Sequence, residues 1–333
     1  MFMKFTKNIS DQIQNYLQSE KKPLICIVWP TATWKTDFAI EIAKNFNWEI
    51  INCDSRQIFK EVECITGLDY EELKWTKNHF FWIAEVDDKT WTSAKFLEEV
   101  EKLIWEIYSR KNIPVLVWWT WLFFSSLIEW FEIPKNSANP EIVKWFKNKT
   151  NEELFEELQK LDFEYSEKTH PNNRNRVERA LEFFYSTWEK KSSERKNSEK
   201  KLNPLIFSKK IFSDEERNFL YEKINFRQKK LFENSLEKIS ELLKKFFYDE
   251  KIIWKNFDFC SEECLRDSEF HSKKIKNFSN YPAFQSIWIP EINSFLKWEI
   301  LKEEAIKKTQ QSARNYAKRQ MTWWRKKDWV TFI

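Results

Sequence analysis

Between residues 24 and 117 the hydrophobic positions come in short solid runs separated by amphipathic stretches. Leu24-Ile25-Cys26-Ile27-Val28 is apolar throughout, the pattern of a strand covered on both faces of a parallel sheet. In Asp37–Phe46 the apolar residues Phe38, Ile42 and Phe46 recur at helical spacing. Glu49–Cys53 reads as a second short strand that ends at Asp54, Ala94–Ser109 as an amphipathic helix, and Ile113–Val117 as another buried strand. This alternation predicts an α/β core, a parallel sheet flanked by helices.

From about Phe131 to Lys201 the pattern turns polar and helical, with helices predicted at Pro140–Lys147, Glu152–Lys160 and Arg174–Phe184, and a charged low-complexity loop at Lys190–Lys201. Leu205-Ile206-Phe207 returns to the sheet. Long helices follow at Glu215–Leu243, Pro290–Lys297 and Leu301–Arg325. The division expected is a core of 1–130 plus 204–333, with a mostly helical insertion at 131–203.

Composition adds the compartment and one anomaly. The chain has 333 residues, with 32% charged and 42% hydrophobic, an ordinary soluble balance. No apolar run near the start resembles a signal peptide, and none is long enough to cross a bilayer. Cys26, Cys53, Cys64, Cys260 and Cys264 show no disulfide framework and are expected as reduced thiols in a cytoplasmic, monomeric protein. Cys260-x-x-x-Cys264 with His271 lacks the second histidine of a zinc site.

The anomaly is glycine. Gly67 stands alone beside 19 tryptophans, where average usage would give roughly 23 glycines. The tryptophans sit where glycine belongs. Trp29 and Trp34 bracket Pro30-Thr31-Ala32-Thr33, before Lys35-Thr36; with glycine at both ends the segment is G-x-x-x-x-G-K-T, a phosphate-cradling P-loop. Val117-Trp118-Trp119-Thr120-Trp121-Leu122 becomes V-G-G-T-G-L, a strand ending in a flexible turn. Trp48, Trp130, Trp188, Trp298 and Trp329 fall at turns or helix ends. The expectation is a gene in which UGA encodes glycine, its product written here with tryptophan. Trp323, inside a helical stretch, reads as a true tryptophan.

With the glycines restored, residues 29–36 follow a buried strand and open a helix. Their inward N–H groups, backed by a helix N-terminus, suit a polyanion. Lys35 would neutralise phosphate, and the Thr36 hydroxyl would ligate Mg²⁺. Asp54-Ser55-Arg56-Gln57 follows the second strand. Asn172–Glu182 reads N-N-R-N-R-V-E-R-A-L-E, Tyr221–Arg227 reads Y-E-K-I-N-F-R, and Arg314–Trp323 reads R-N-Y-A-K-R-Q-M-T-W. Residues 302–327 carry nine Lys/Arg against two acids, a basic stripe suited to a phosphate backbone. By spacing, Arg174, Arg176 and Arg179 are expected to share one helix face.

Taken in order, these segments resemble the tRNA dimethylallyltransferases, and the resemblance spans residues 24 to 330. It implies a P-loop NTPase-like fold that transfers the dimethylallyl group of dimethylallyl pyrophosphate to N6 of the adenine 3′ of the anticodon, with Mg²⁺ as cofactor. Its loop, Trp29, Pro30, Thr31, Ala32, Thr33, Trp34, Lys35 and Thr36, would hold the prenyl pyrophosphate. Asp54 would be the general base, and Lys35, Thr36 and Arg227 would stabilise the leaving pyrophosphate. Asp54, Ser55, Arg56, Gln57 and Thr120 would contact the adenine. Asn175, Arg176, Arg179, Arg314, Lys318 and Arg319 would contact the anticodon stem-loop of tRNA. The chain departs from the family pattern at Cys64–Asp69 and at Trp288–Glu291, and 250–280 aligns to nothing recognisable. His79 is expected to be structural. The alternatives are a P-loop small-molecule kinase, an adenylate isopentenyltransferase, and an inactive tRNA-binding protein.

Overall fold

A computed structural model describes residues 5–33, 35–62, 66, 73–88, 90–118, 140–193, 202–247, 281–286, 288–297 and 299–333. The chain separates into two compact units, 1–128 with 201–333, and 129–200.

The first unit is built on a parallel sheet. Its strands are β1 (Ile25–Ile27), β2 (Glu49–Cys53), β3 (Lys77–His79), β4 (Pro114–Trp118), β5 (Leu205–Ser208) and β6 (Val330–Phe332). They lie in the order β3-β2-β4-β1-β5-β6, and every neighbouring pair is parallel. β1, β2 and the described part of β4 are buried, which is why β1 and β4 read as apolar runs, while β2 also buries the polar Glu49 and Asn52. The helices of this unit are α1 (Lys7–Ser19), α2 (Lys35–Phe46), α3 (Ser93–Ser109), α8 (Asp214–Phe247), α9 (Ile289–Leu296) and α10 (Lys302–Arg325). Ile9 and Ile13 of α1 join Phe38, Ile42, Ile50, Val115 and Phe207 in one hydrophobic cluster.

In this unit α1, β3 and β6 were not expected, and in the second unit the short helix at Phe163–Glu167 was not. α1 lies in a polar stretch, but Ile9 and Ile13 are four apart and Thr6 caps it by accepting from the Ile9 N–H. β3 reads Lys-Asn-His, a polar composition suited to the exposed edge it occupies. β6 forms the opposite edge. At the start of β2 the buried Glu49 binds the Arg110 guanidinium at 2.9 Å, His79 Nε2 at 2.7 Å and the Asn112 amide at 3.0 Å. Burial pushes its pKa up, but these hydrogen bonds outweigh that and hold it at about 2. His79 therefore pins the edge strand to its neighbour.

The second unit holds helices α4 (Pro140–Lys147), α5 (Asn151–Leu161), α6 (Phe163–Glu167) and α7 (Arg174–Thr187). Phe146, Leu154, Leu158, Val177, Ala180 and Leu181 form its own core. Thr150 and Glu153 make a capping box at the start of α5.

Candidate functional site

In a parallel sheet, ligands collect beyond the carboxyl ends of the strands, where the helices that follow present their N-termini. Two such ends meet here. β1 runs into residues 29–36 and then α2, and β2 runs into Asp54. β4 lies between them.

The loop after β1 is held by its own side chains and by distant ones. Lys35 Nζ donates to the Trp29 carbonyl at 2.9 Å, which folds the lysine back over the loop. The Thr33 hydroxyl donates to the Pro30 carbonyl. Ala32 has φ 60°, the left-handed conformation that turns successive amides to one side. The Thr31 N–H donates to Gln320 Oε1 at 3.0 Å. Arg227, on α8, donates to the Thr31 hydroxyl at 3.5 Å and to the Thr66 carbonyl at 3.0 Å. Thr36 stands half-buried in the first turn of α2. Trp34 and Thr120 lie outside the described residues.

Asp54 is 7% exposed. Its backbone N–H donates to Asn52 Oδ1 at 3.0 Å, and its carboxylate accepts the Arg56 N–H at 2.8 Å. Gln57 is buried beside it, its N–H donating to the Asp54 carbonyl at 3.2 Å. Burial raises the Asp54 pKa, while Lys35 and Arg56 pull it the other way. Burial also lowers Lys35 to about 7, against the attraction of Asp54 and with the repulsion of Arg227. Lys35, Arg227 and Asp54 thus lie close enough to feel one another's charge. A raised carboxylate pKa brings the group nearer the range of a working general base.

The remaining candidates divide. Arg56 donates to the Pro282 carbonyl and at 3.4 Å to Gln285 Oε1, so its head is engaged within the chain. Arg314 donates to Asn225 Oδ1 and at 2.6 Å to Gln311 Oε1. Asn175, Arg176 and Arg179 are exposed on α7, and Lys318 and Arg319 are exposed on α10. Arg174 does not share the outer face of Arg176. It is part-buried and bound to Glu178 at 2.7 Å, Asn151 at 2.9 Å and the Phe146 and Lys149 carbonyls. The reason is angular: residues two apart on a helix lie about 200° around it.

Gln320 and Tyr316 are the residues that spacing did not single out. Ala305, Thr309, Ala313, Ala317, Gln320, Met321 and Trp324 are the buried row of α10. The small residues Ala305, Thr309, Ala313 and Ala317 at i, i+4 spacing, with Gln320 at i+3 from the last, are the signal that would have turned Gln320 inward.

A profile described as IPP transferase matches residues 57–327. The chain belongs to this family. The tRNA dimethylallyltransferase of Thermoanaerobacter sp. (strain X514) is 31% identical over 93% of this chain and 91% of its own length. That of Acetivibrio thermocellus is 33% identical at the same coverage. Among solved structures, the tRNA isopentenylpyrophosphate transferase of Bacillus halodurans superposes with a TM-score of 0.62 at 26% identity, over 94% of this chain and 90% of that one. A eukaryotic dimethylallyltransferase acting on tRNA superposes at 0.69 with 25% identity, over 91% and 70%. The six-stranded parallel sheet is that of the P-loop NTPase-like fold.

The depressed Lys35 pKa has a consequence for stability. The folded value, about 7, lies below the unfolded value, 10.5. The unfolded chain therefore holds more protons between those pH values, and stability rises with pH across that window. Lys35→Met removes the buried charge. It should raise stability by about 2 kcal/mol at pH 6, with the gain shrinking toward pH 10. Thermal melts across pH check this, and a variant less stable at pH 6 contradicts it.

Proposed function

We propose that this chain transfers the dimethylallyl group from dimethylallyl pyrophosphate to N6 of the adenine on the 3′ side of a tRNA anticodon. The observation that carries the reading is a buried Asp54 at the end of β2, close enough to the loop lysine Lys35 and to Arg227 to feel their charges, with Arg227 bonded to Thr31 of the loop. The family supplies the substrates, and the pocket supplies a division of labour that suits them.

The exocyclic amine of adenine is a weak nucleophile, so its proton must leave as the new bond forms. Asp54 accepts that proton. The N6–C1 bond forms, the C1–O bond breaks, and both electrons of the latter leave with pyrophosphate. Lys35, Arg227 and the loop amides meet the charge that develops on the leaving oxygen. Gln57 and Ser55, beside Asp54, hold the base edge. The adenine reaches a carboxylate this buried only by leaving its stack, which a loop permits more readily than a duplex.

Mg²⁺ fits the residues present. The Thr36 hydroxyl makes no hydrogen bond to the described residues, and Mg²⁺ commonly takes one or two protein oxygens beside substrate phosphates. Bound there, it would neutralise pyrophosphate charge. No group of three or more His, Cys, Asp or Glu able to hold a metal occurs among the described residues, so the ion would rest mainly on the substrate.

Arg176, Arg179, Lys318 and Arg319 suit tRNA phosphates, and Asn175 lies next to the first of them. Cys26 and Cys53 are buried free thiols, in keeping with the cytoplasm, where tRNA is found. No described helix is long and apolar enough to cross a membrane.

The native protein, on this reading, carries glycine at positions written as tryptophan. Trp188 ends α7 with φ 60° while 76% exposed, and Trp82 has φ 50°. Glycine is the residue that takes this conformation without cost. Trp29 does not plug the loop, as its indole stacks on Phe38 at 4.7 Å within the core. Its Nε1, though, is buried with no partner among the described residues, a cost glycine lacks. Mass spectrometry of the native peptide Pro23–Lys35 should give the mass with glycine at 29 and 34. The tryptophan mass would end this part of the proposal.

Incubation with unmodified tRNA and labelled dimethylallyl pyrophosphate should place label on tRNA and none on free AMP. Asp54→Asn should lower kcat about 100- to 10,000-fold with little change in donor KM. Label on AMP alone, phosphate transfer from ATP, or full activity of Asp54→Asn would each overturn the proposal.

A further inference from the structure

The basic helix α10 has an inner face whose chemistry the tRNA-binding role does not use. Lys318 and Arg319 point outward. The buried row Ala305, Thr309, Ala313, Ala317, Met321 and Trp324 is small or apolar apart from Thr309, yet Gln320 stands in it at 8% exposure. An amide in such a row must find partners or lose stability. It finds one on the phosphate loop. Gln320 Oε1 accepts the Thr31 N–H at 3.0 Å, a buried contact between residues 289 apart in sequence.

The position of that N–H matters. Pro30 has no amide proton, so Thr31 carries the first N–H after Trp29. Tied to Gln320, it is withdrawn from the set that faces an anion, and the peptide that leads into the left-handed Ala32 is fixed. The Thr31 hydroxyl is engaged from the other side by Arg227. α10 also steadies that arginine's helix: Gln310 donates to the Asn225 carbonyl at 3.0 Å and Arg314 donates to the Asn225 side chain, two residues before Arg227. One turn back from Gln320, Tyr316 hydrogen-bonds to it and lies close enough to Asp54 and Arg56 to feel both charges. A single glutamine thus touches the donor loop and, through Tyr316, the surroundings of the general base.

We infer that Gln320 is a positioning residue for the pyrophosphate-binding loop. It holds the Pro30–Thr31 peptide so that the amides from Ala32 onward face the donor in register with Asp54. The inference rests on the proposed prenyl-transfer reading. It gives the basic helix a second role, in which the outer face meets tRNA while the inner face sets the donor site.

The test compares the full-length wild type with Gln320→Met, which keeps the length of the side chain without its amide, and with Gln320→Glu, which retains an acceptor for the Thr31 N–H. Gln320→Met should raise the KM for dimethylallyl pyrophosphate and the inhibition constant of inorganic pyrophosphate about tenfold each. The KM for tRNA should stay within about twofold, since that grip belongs to the outer face, and Gln320→Glu should recover most of the donor affinity. Unchanged donor KM and pyrophosphate inhibition would overturn the inference. So would a loss confined to tRNA, or a Gln320→Glu variant no better than Gln320→Met. Should Gln320→Met fail to fold, Gln320→Asn, polar but one carbon short, serves for the same comparison. Calorimetric binding of inorganic pyrophosphate separates the two levels. If the wild type transfers no prenyl group, the functional reading falls, while a pyrophosphate affinity that does or does not drop in the variant still decides the role of Gln320.

Discussion

A loop that grips a polyanion must spend its backbone amides on the ligand, so its own shape has to be secured by other groups. That constraint organises the first unit of this protein. Lys35 folds back onto the Trp29 carbonyl, Thr33 onto Pro30, and Thr31 is held from both sides by Gln320 and Arg227. The cations gathered there are buried enough that charging them is costly, as the depressed Lys35 pKa records. On the proposed reading a pyrophosphate would relieve that cost by pairing with Lys35 and Arg227. The carboxylate across the pocket is raised by burial for the same reason the lysine is lowered. Under the proposed function, donor binding and proton abstraction would therefore draw on one desolvated space.

The sheet explains why these groups meet. β1 and β2 are separated by β4 alone, and all run the same way, so the loop after one and the aspartate after the other emerge on the same edge. α8 and α10 lie far along the chain, yet they close that edge with Arg227 and Gln320. Local spacing carries the loop, and topology carries the rest.

The same division decides what could be read from sequence. Leu24–Val28 and Asp37–Phe46 announce themselves because a strand buried on both faces is apolar throughout and helices repeat near every fourth residue, and Glu49–Cys53 by its short Ile50-Ile51 core before Asp54. The P-loop and Asp54 follow from positions relative to those elements. β3 stayed hidden because an edge strand of Lys, Asn and His carries no apolar pattern, and its stability comes from backbone pairing and the Glu49 cluster instead. The arginine assignments depend on angle rather than composition. Arg174 turned inward, and Arg56 and Arg314 engaged neighbours, while Arg176, Arg179, Lys318 and Arg319 are exposed. The bond between Gln320 and Thr31 could not be read locally, since nothing near either residue points to the other.

The most direct check on the shared pocket is a crystal structure of the native protein with a non-hydrolysable thio-analogue of dimethylallyl pyrophosphate. The pyrophosphate should lie against the amides from Ala32 to Thr36 with Lys35 and Arg227 upon it, and the first prenyl carbon should face Asp54. An analogue bound away from this loop, or one whose reacting carbon points away from Asp54, would contradict the shared pocket.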